Sequence, residues 1–368
     1  MSLILTEVKN KVGIITLNSE KTLNSLSLEM IEALWDVLEK WKTSADINCI
    51  FLQGAGEKAL CAGGDVRKLY DAIIAQKAVD ATQVPEACFN FFFKEYQVDY
   101  TIHTYPKPVI VWGHGIVMGG GIGLMAGASH RIVTEKSKLA MPEITIGLYP
   151  DVGGTWFLNW MPSAYGLYLG LTGARLDGAD CKYLGLADYY VTATAKEKIL
   201  TALEQADWNG VHDQVVSDIL EKIAAENDIP LSQAALHESF VKQFEGVSSI
   251  EQFREILNGY ADKDDWINAG VKSFETGSPS SAHIILRKLK QGKKLGLEQV
   301  FQSELNLSCQ CCIHPDFAEG VRALLVDKDQ SPKWQPATLD DITQDWVDSY
   351  FTPLWNDESH PLKDLGKN

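Results

Sequence analysis

Residues 109–128 read Val109-Ile110-Val111-Trp112-Gly113-His114-Gly115-Ile116-Val117-Met118-Gly119-Gly120-Gly121-Ile122-Gly123-Leu124-Met125-Ala126-Gly127-Ala128, and the fold turns on them. The β-branched run up to Met118 has the composition of one buried strand. The glycine triplet then turns the chain into a helix start rich in small residues. A further strand, Arg131-Ile132-Val133-Thr134, leads into Met141-Pro142-Glu143-Ile144-Thr145-Ile146-Gly147-Leu148-Tyr149-Pro150-Asp151-Val152-Gly153-Gly154. Two carboxylates, Glu143 and Asp151, thus follow a glycine-rich strand-to-helix turn in apolar surroundings. Such a turn can aim free backbone N–H groups at a developing negative charge.

The same grammar occurs upstream. Residues 3–17 read as a β-hairpin turning at Lys9-Asn10-Lys11, and Ser27 caps a helix that keeps its apolar spacing through Trp41. A short strand at 49–54 is followed by Ala59-Leu60-Cys61-Ala62-Gly63-Gly64-Asp65 and a helical Val66-Arg67-Lys68-Leu69-Tyr70. Glycine therefore sits at the strand-to-helix junction twice, where a close backbone approach to a ligand asks for it. Residues 85–102 form a long helix carrying Phe89, Phe91, Phe92, Phe93 and Tyr96, with Glu95 among them. A helix through Trp156-Phe157-Leu158 and a strand-like 187–191 end the α/β-patterned half. From about residue 196 the runs become amphipathic and helical, at 196–203, 215–225, 250–260, 282–291 (capped by Ser278-Pro279) and 297–312. Pro332, Pro336, Pro353 and Pro361 break up the tail. The expected organisation is an α/β catalytic core over 1–195, a helical segment over 196–277, and a C-terminal helical region and tail over 278–368.

Composition excludes several classes. The 368 residues are 45% apolar and 22% charged, as in an ordinary soluble globular protein. With 33 basic against 49 acidic residues the net charge is −16, which argues against nucleic acid or an anionic membrane as main partner. No segment reaches the roughly 18 apolar residues of a membrane span. The N-terminus has neither a signal peptide's basic flank and apolar run nor a transit peptide's Arg- and Ser-rich character. Seven scattered cysteines suit free thiols in a reducing compartment, and the expectation is cytoplasmic.

Several motifs compete. Gly121-Ile122-Gly123-Leu124-Met125-Ala126 mimics a dinucleotide fingerprint. The acidic residue about 20 positions on, Glu143, follows Met141-Pro142 where a strand end is required, so the nicotinamide reading is disfavoured. G-x-S-x-G, H-E-x-x-H and a P-loop lysine are absent. Cys309, Cys311 and Cys312 could suggest metal ligands, but Leu305, Ser308, Cys311 and Cys312 share a helix face, so buried thiols are expected and no metal. His114, between two glycines, reads as packed. Glu143 could cap a turn and Asp151 could N-cap the next helix. Against that, two glycine turns plus a carboxylate in apolar surroundings equip acyl-transfer chemistry: N–H donors for the carbonyl oxygen, a carboxylate as base or nucleophile.

On these residues the chain resembles the enoyl-CoA hydratase/isomerase (crotonase) superfamily. The resemblance is carried by Cys61-Ala62-Gly63-Gly64-Asp65, by His114-Gly115-Ile116-Val117-Met118-Gly119-Gly120-Gly121 and by Met141-Pro142-Glu143. Within it the closer match is the 3-hydroxyisobutyryl-CoA hydrolase branch, through Phe93-Lys94-Glu95-Tyr96, residues 147–154, and most specifically residues 319–334. The resemblance implies a spiral core of ββα turns with a helical C-terminal region. It implies an oxyanion hole from the N–H groups of Gly64 and Gly120, Glu143 as the catalytic glutamate and Asp151 as the branch's second acid. It also implies Glu95 as a substrate contact, and Gly64, Asp65, Val66 and Arg67 along the CoA arm with Leu26 near its adenine end. Coenzyme A enters as part of the substrate, with no other cofactor. Trimers and hexamers are common in the superfamily, so a homo-oligomer is among the expectations.

One departure bears on the reaction. Hydratases of the superfamily carry a second glutamate just after the glycine triplet, and this chain has Gly123 there. The resemblance then points from adding water across C=C to hydrolysing a thioester, with attack by Glu143 and activation of a water by Glu143 both open. A hydratase or isomerase, and a non-catalytic acyl-CoA-binding protein, are the alternatives.

Overall fold

The chain begins with the expected hairpin, β1 (Ile4–Lys9) against β2 (Val12–Leu17), in a computed structural model that describes residues 2–367. Asn10 and Lys11 turn it at φ 43° and 68°, the positive values that a two-residue type I′ hairpin loop requires at both positions. From β2 the sheet runs in parallel through β3 (Cys49–Gly54), β5 (Val109–Gly113), β7 (His130–Val133) and β10 (Tyr189–Tyr190). Among the described residues this gives a six-stranded sheet in the order β1-β2-β3-β5-β7-β10. A smaller sheet has the order β4-β6-β8-β9, with β4 (Ala59–Cys61), β6 (Ile116–Met118), β8 (Lys138–Ala140) and β9 (Leu176–Asp177). Parallel strands covered on both faces read as continuous apolar runs, as Cys49-Ile50-Phe51-Leu52 and Val109-Ile110-Val111-Trp112 do.

The single strand expected over 109–118 is two strands in two sheets. The break falls at Gly115, whose φ is +58° and where a Cβ would lie 2.2 Å from the Lys58 carbonyl oxygen. Strand–strand–helix thus recurs: β3, β4 and α2 (Val66–Lys77), then β5, β6 and α4 (Gly120–Ala126). Ser27 caps α1 (Leu28–Lys42) by accepting from the Met30 N–H at 3.3 Å.

By packing, the chain divides into two units, each assembled from three segments. The first takes the chain up to Gly64 with Val98–Ala140 and Arg175–His237. It holds both sheets, and the helices Lys196–Glu204 and His212–Ala224 cover the larger one, packing Ile199, Leu203, Val216 and Leu220 with Phe51 and Trp112. Each side chain so buried contributes about 1.5–3 kcal/mol.

The second unit takes Asp65–Gln97, Met141–Ala174 and the chain from Glu238 on, and is largely helical. The first part of α3 (Glu86–His103) belongs to it, as do α5 (Gly154–Asn159) and the helices Pro279–Gly292 and Leu297–Ile313. Ser278 caps the Pro279–Gly292 helix, accepting from the Ser281 N–H at 3.0 Å, and Pro279 opens it. Tyr168, Phe240, Phe244, Phe253 and Phe274 form a chain of ring contacts at 4.6–5.7 Å. The proline-broken tail includes one α-helical turn pair, Gln344–Tyr350, which anchors it through Tyr350 stacked on His314 at 3.6 Å. Among the described residues no helix is long and apolar enough to cross a membrane.

Candidate active site

In the first unit the two glycine turns lie side by side because β4 and β6 pair, Cys61 against Val117. A Cβ on Gly121 would sit 2.4 Å from the Cys61 carbonyl oxygen. One on Gly63, at φ +104°, would be 3.2 Å from the Met118 oxygen and 3.9 Å from the Gly120 nitrogen. Only glycine tolerates such approaches. Gly119, at φ 49°, caps α4, so Gly120 is the first helical residue and its N–H has no acceptor within the helix. Leu26 donates its N–H to the Gly63 oxygen at 2.9 Å and its side chain is fully buried, so it braces the turn that presents Gly64. Gly123 is buried on α4.

In the second unit Glu143 opens a 3-10 turn, Glu143–Ile146, which ends at Gly147 in the left-handed region. The Glu143 side chain is buried, and its Oε2 has no hydrogen-bond partner among the described residues. Asp151 is buried too, and its Oδ2 accepts from the Tyr96 hydroxyl at 2.6 Å. Tyr96 Oη is also 2.6 Å from Ser308 Oγ, which is 2.9 Å from Tyr149 Oη; Tyr149 donates to the Glu304 main-chain oxygen at 2.9 Å. Since the two phenol protons go to Asp151 and to Glu304, the Ser308 proton must go to a phenol oxygen. A chain of hydroxyls thus fixes Asp151 to the Leu297–Ile313 helix. Glu95, on α3, is buried beside both acids.

Asp151 does not cap α5. Val152 and Gly153 both adopt positive φ, 51° and 81°, so the Gly154 N–H returns to the main-chain oxygen of Asp151 at 2.6 Å and Gly153 takes the cap position. The capping carboxylate comes instead from Glu304, fully buried, which accepts from the N–H groups of Gly153 at 2.8 Å and Thr155 at 3.0 Å. That exchange leaves the Asp151 carboxylate to Tyr96. Buried Lys288 is the nearby counter-charge to Glu304, its Nζ hydrogen-bonding the Ser303 hydroxyl.

Burial dominates the electrostatics. It raises the Glu143 carboxyl well above the ordinary range, and the Asp151 charge raises it further. Glu95 is raised by burial, then by Asp151 and Glu143. Asp151 is pushed up to about 7 by burial, with the Tyr96 hydrogen bond opposing and Glu304 adding. Three carboxyls so placed oppose one another's ionisation.

Asp65 caps α2, weakly, through the Lys68 N–H at 3.5 Å; Val66 and Arg67 fill its first turn, Arg67 exposed. His114 is packed as expected, its ring nitrogens 3.3 Å and 3.1 Å from the Trp112 and Gly56 oxygens. All seven cysteines are buried free thiols, and burial raises those of Cys311 and Cys312. Among the described residues no group of three or more His, Cys, Asp or Glu is placed to hold a metal ion. Sequence reading missed Tyr96 as the partner of Asp151, and it missed Ser308 and Glu304. A signal existed for Glu304: it falls on the buried stripe Val300, Phe301, Leu305, Ser308, where a carboxylate needs a reason.

The enoyl-CoA hydratase/isomerase family model matches residues 12–351. The chain belongs to this family. Within it, 3-hydroxyisobutyryl-CoA hydrolase, mitochondrial, of Danio rerio is 37% identical over 95% of this chain and 90% of its own length. The Homo sapiens protein of the same name is 36% identical over 95% of this chain and 89% of its own. Among solved structures, a carnitinyl-CoA dehydratase from Mycobacterium thermoresistibile superposes with TM-score 0.85 at 34% identity, covering 96% of this chain and 97% of that one. An enoyl-CoA hydratase from Rhodobacter sphaeroides 2.4.1 gives 0.83 at 28% identity, over 96% and 98%. The fold is the expected crotonase-like one, mixed α/β with parallel sheets and a helical C-terminal region. The cytoplasmic expectation is overturned by the relatives, which are named as mitochondrial. Its basis was too coarse: free thiols separate reducing from oxidising compartments, not one reducing compartment from another.

Proposed function

We propose that this chain hydrolyses 3-hydroxyisobutyryl-CoA to 3-hydroxyisobutyrate and CoA, a step of valine breakdown. The observation that carries the reading is the buried acid cluster of Glu143, Asp151 and Glu95 in a family member that has Gly123 where hydratases place their second glutamate. The names of the curated relatives support the same substrate.

The reading requires the N–H groups of Gly64 and Gly120 to take the thioester oxygen, where negative charge builds as the carbonyl carbon becomes tetrahedral. Glu143 supplies the carboxylate, and its unpartnered Oε2 is the oxygen available to the substrate or a water. Activating a water, it accepts a proton as the water oxygen bonds to the acyl carbon; the C–S bond then breaks and the CoA sulfur takes the proton back. Attacking directly, its oxygen bonds to the acyl carbon and expels CoA thiolate, and water then cleaves the anhydride. Asp151 or Glu95 holds the substrate 3-hydroxyl, and the turn of Gly64, Asp65, Val66 and Arg67 lies along the CoA arm, with Leu26 near its adenine end. CoA is consumed with the substrate, and no further cofactor enters this scheme.

Thiol release from 3-hydroxyisobutyryl-CoA tests this reading. We expect Glu143→Ala to lose about two or more orders of magnitude, the scale of removing a base or nucleophile. No thiol release, or an unchanged rate in that variant, overturns it. The names of the two solved structures favour a second reading, addition or removal of water at an enoyl-CoA; it predicts a change in conjugated-thioester absorbance without free thiol. An acyl adduct on Glu143, detected by mass after rapid quenching, separates attack from water activation.

A further inference from the structure

Glu304 and Lys288 are buried charged groups that the proposed chemistry does not use. Removing a carboxylate from water costs several kcal/mol unless hydrogen bonds and a counter-charge offset it, so a fully buried glutamate marks a specific task. Here the task can be read from its contacts. One carboxylate oxygen takes the N–H of Gly153, within the left-handed bend that follows Asp151, and the other that of Thr155, just beyond it. Val152 in that bend is a β-branched residue at φ 51°, a conformation that persists only where its surroundings enforce it. The main-chain oxygen of Glu304 takes the Tyr149 hydroxyl, two residues before Asp151. One turn along the same helix, Ser308 holds Tyr96, which holds the Asp151 carboxylate.

We infer that Glu304 is a positioning residue for Asp151, clamping the strained 152–155 turn so that the Asp151 carboxylate is freed from capping and presented on Tyr96. The inference rests on the hydrolase reading above. It assigns the capping of α5 to a residue about 150 positions away and makes the Leu297–Ile313 helix part of the active-site support. Burial pushes the Glu304 carboxyl up, and Lys288, on the neighbouring helix, supplies the charge that most opposes this. The groups that bear on the charge of Asp151 are Glu95, Glu143 and Glu304, the phenols of Tyr96 and Tyr149, and the Cys311 thiol.

Two variants of the full chain separate position from charge. Glu304→Gln keeps the volume but replaces one acceptor with an NH2 group, leaving a backbone N–H unpaired and removing a negative charge that acts on Asp151. Glu304→Asp keeps the charge and shortens the reach. We expect both to lower kcat about 10- to 100-fold with KM changed far less, as for a misplaced catalytic group. Loosening Asp151 from Tyr96 should move the acidic limb of the pH–rate profile to higher pH in Glu304→Asp, whereas loss of the Glu304 charge opposes that move in Glu304→Gln, whose limb should lie below that of Glu304→Asp. Amide exchange should show Gly153 and Thr155 losing protection in both variants while the sheet amides keep theirs. A merely structural role would lower the folded fraction and scale activity with it, leaving the limb in place. Wild-type kcat in Glu304→Asp, or an acidic limb unmoved in both folded variants, overturns the inference. If Glu304→Gln does not fold, the kcat and exchange of Glu304→Asp decide. Wild-type protein that releases no thiol defeats the hydrolase reading instead, and amide exchange still tests the clamp.

Discussion

The glycine turns of the first unit and the acid cluster of the second achieve precision by opposite means. At Gly63, Gly119 and Gly121 the geometry comes from what is missing: a side chain at any of them would collide with backbone or strain it, and adjacent paired strands do the rest. At Asp151 the geometry comes from what is added: phenols, a serine and a distant glutamate satisfy or constrain groups that burial would otherwise penalise. The first device is local in sequence and tolerates no substitution. The second is assembled from residues 95 to 308 and should fail in graded steps.

The contrast can be broken at either end. The largest effect is expected from Glu143→Gln, which keeps volume and removes the ionisable group: thiol release should fall about 100- to 1000-fold with little change in substrate binding. Next is Gly121→Ala. Its Cβ would lie 2.4 Å from the Cys61 carbonyl oxygen, so one of the paired turns must move. Losing the alignment of an oxyanion donor costs about 100-fold in kcat, and a variant at wild-type rate would remove the first unit from the chemistry. Tyr96→Phe should be milder, about tenfold, because it removes one hydrogen bond from Asp151. That bond holds the Asp151 carboxyl down, so its loss should move the acidic limb to higher pH, in the same direction as Glu304→Asp.

Legibility in the sequence follows the same division. The hairpin turn, the Ser27 and Ser278 caps and both glycine turns could be read because each is decided within a few residues. The strand over 109–118 was half legible: its apolar run is continuous, and only the contact of Gly115 with Lys58 splits it between sheets. A capping role for Asp151 stayed open in the sequence because Asp before a Gly-Gly helix entry is the usual cap signal, and the residue that caps instead, Glu304, lies on another helix. No spacing rule links positions 96, 151, 304 and 308. Family resemblance located the acids, and only three-dimensional packing supplies their partners.

The smallest expected effect is on stability, and it sharpens the claim that the acids are held against their preference. An unfolded Asp151 titrates near 3.8 and the folded one at about 7, with Glu143 and Glu95 shifted in the same direction. Between those values the folded state binds more protons than the unfolded one, so stability falls as pH rises through the window and levels off above it. Asp151→Asn removes one such group while its amide oxygen can still accept from Tyr96. Its melting temperature relative to wild type should therefore be close to equal near pH 4 and higher by about 5 °C at pH 8, since the rise from 3.8 to about 7 is worth about 4 kcal/mol and a chain of this length moves about 1–2 °C per kcal/mol. An offset that is the same at both pH values would mean that Asp151 is not charged at a cost, and that the cluster is no more strained than the glycine turns.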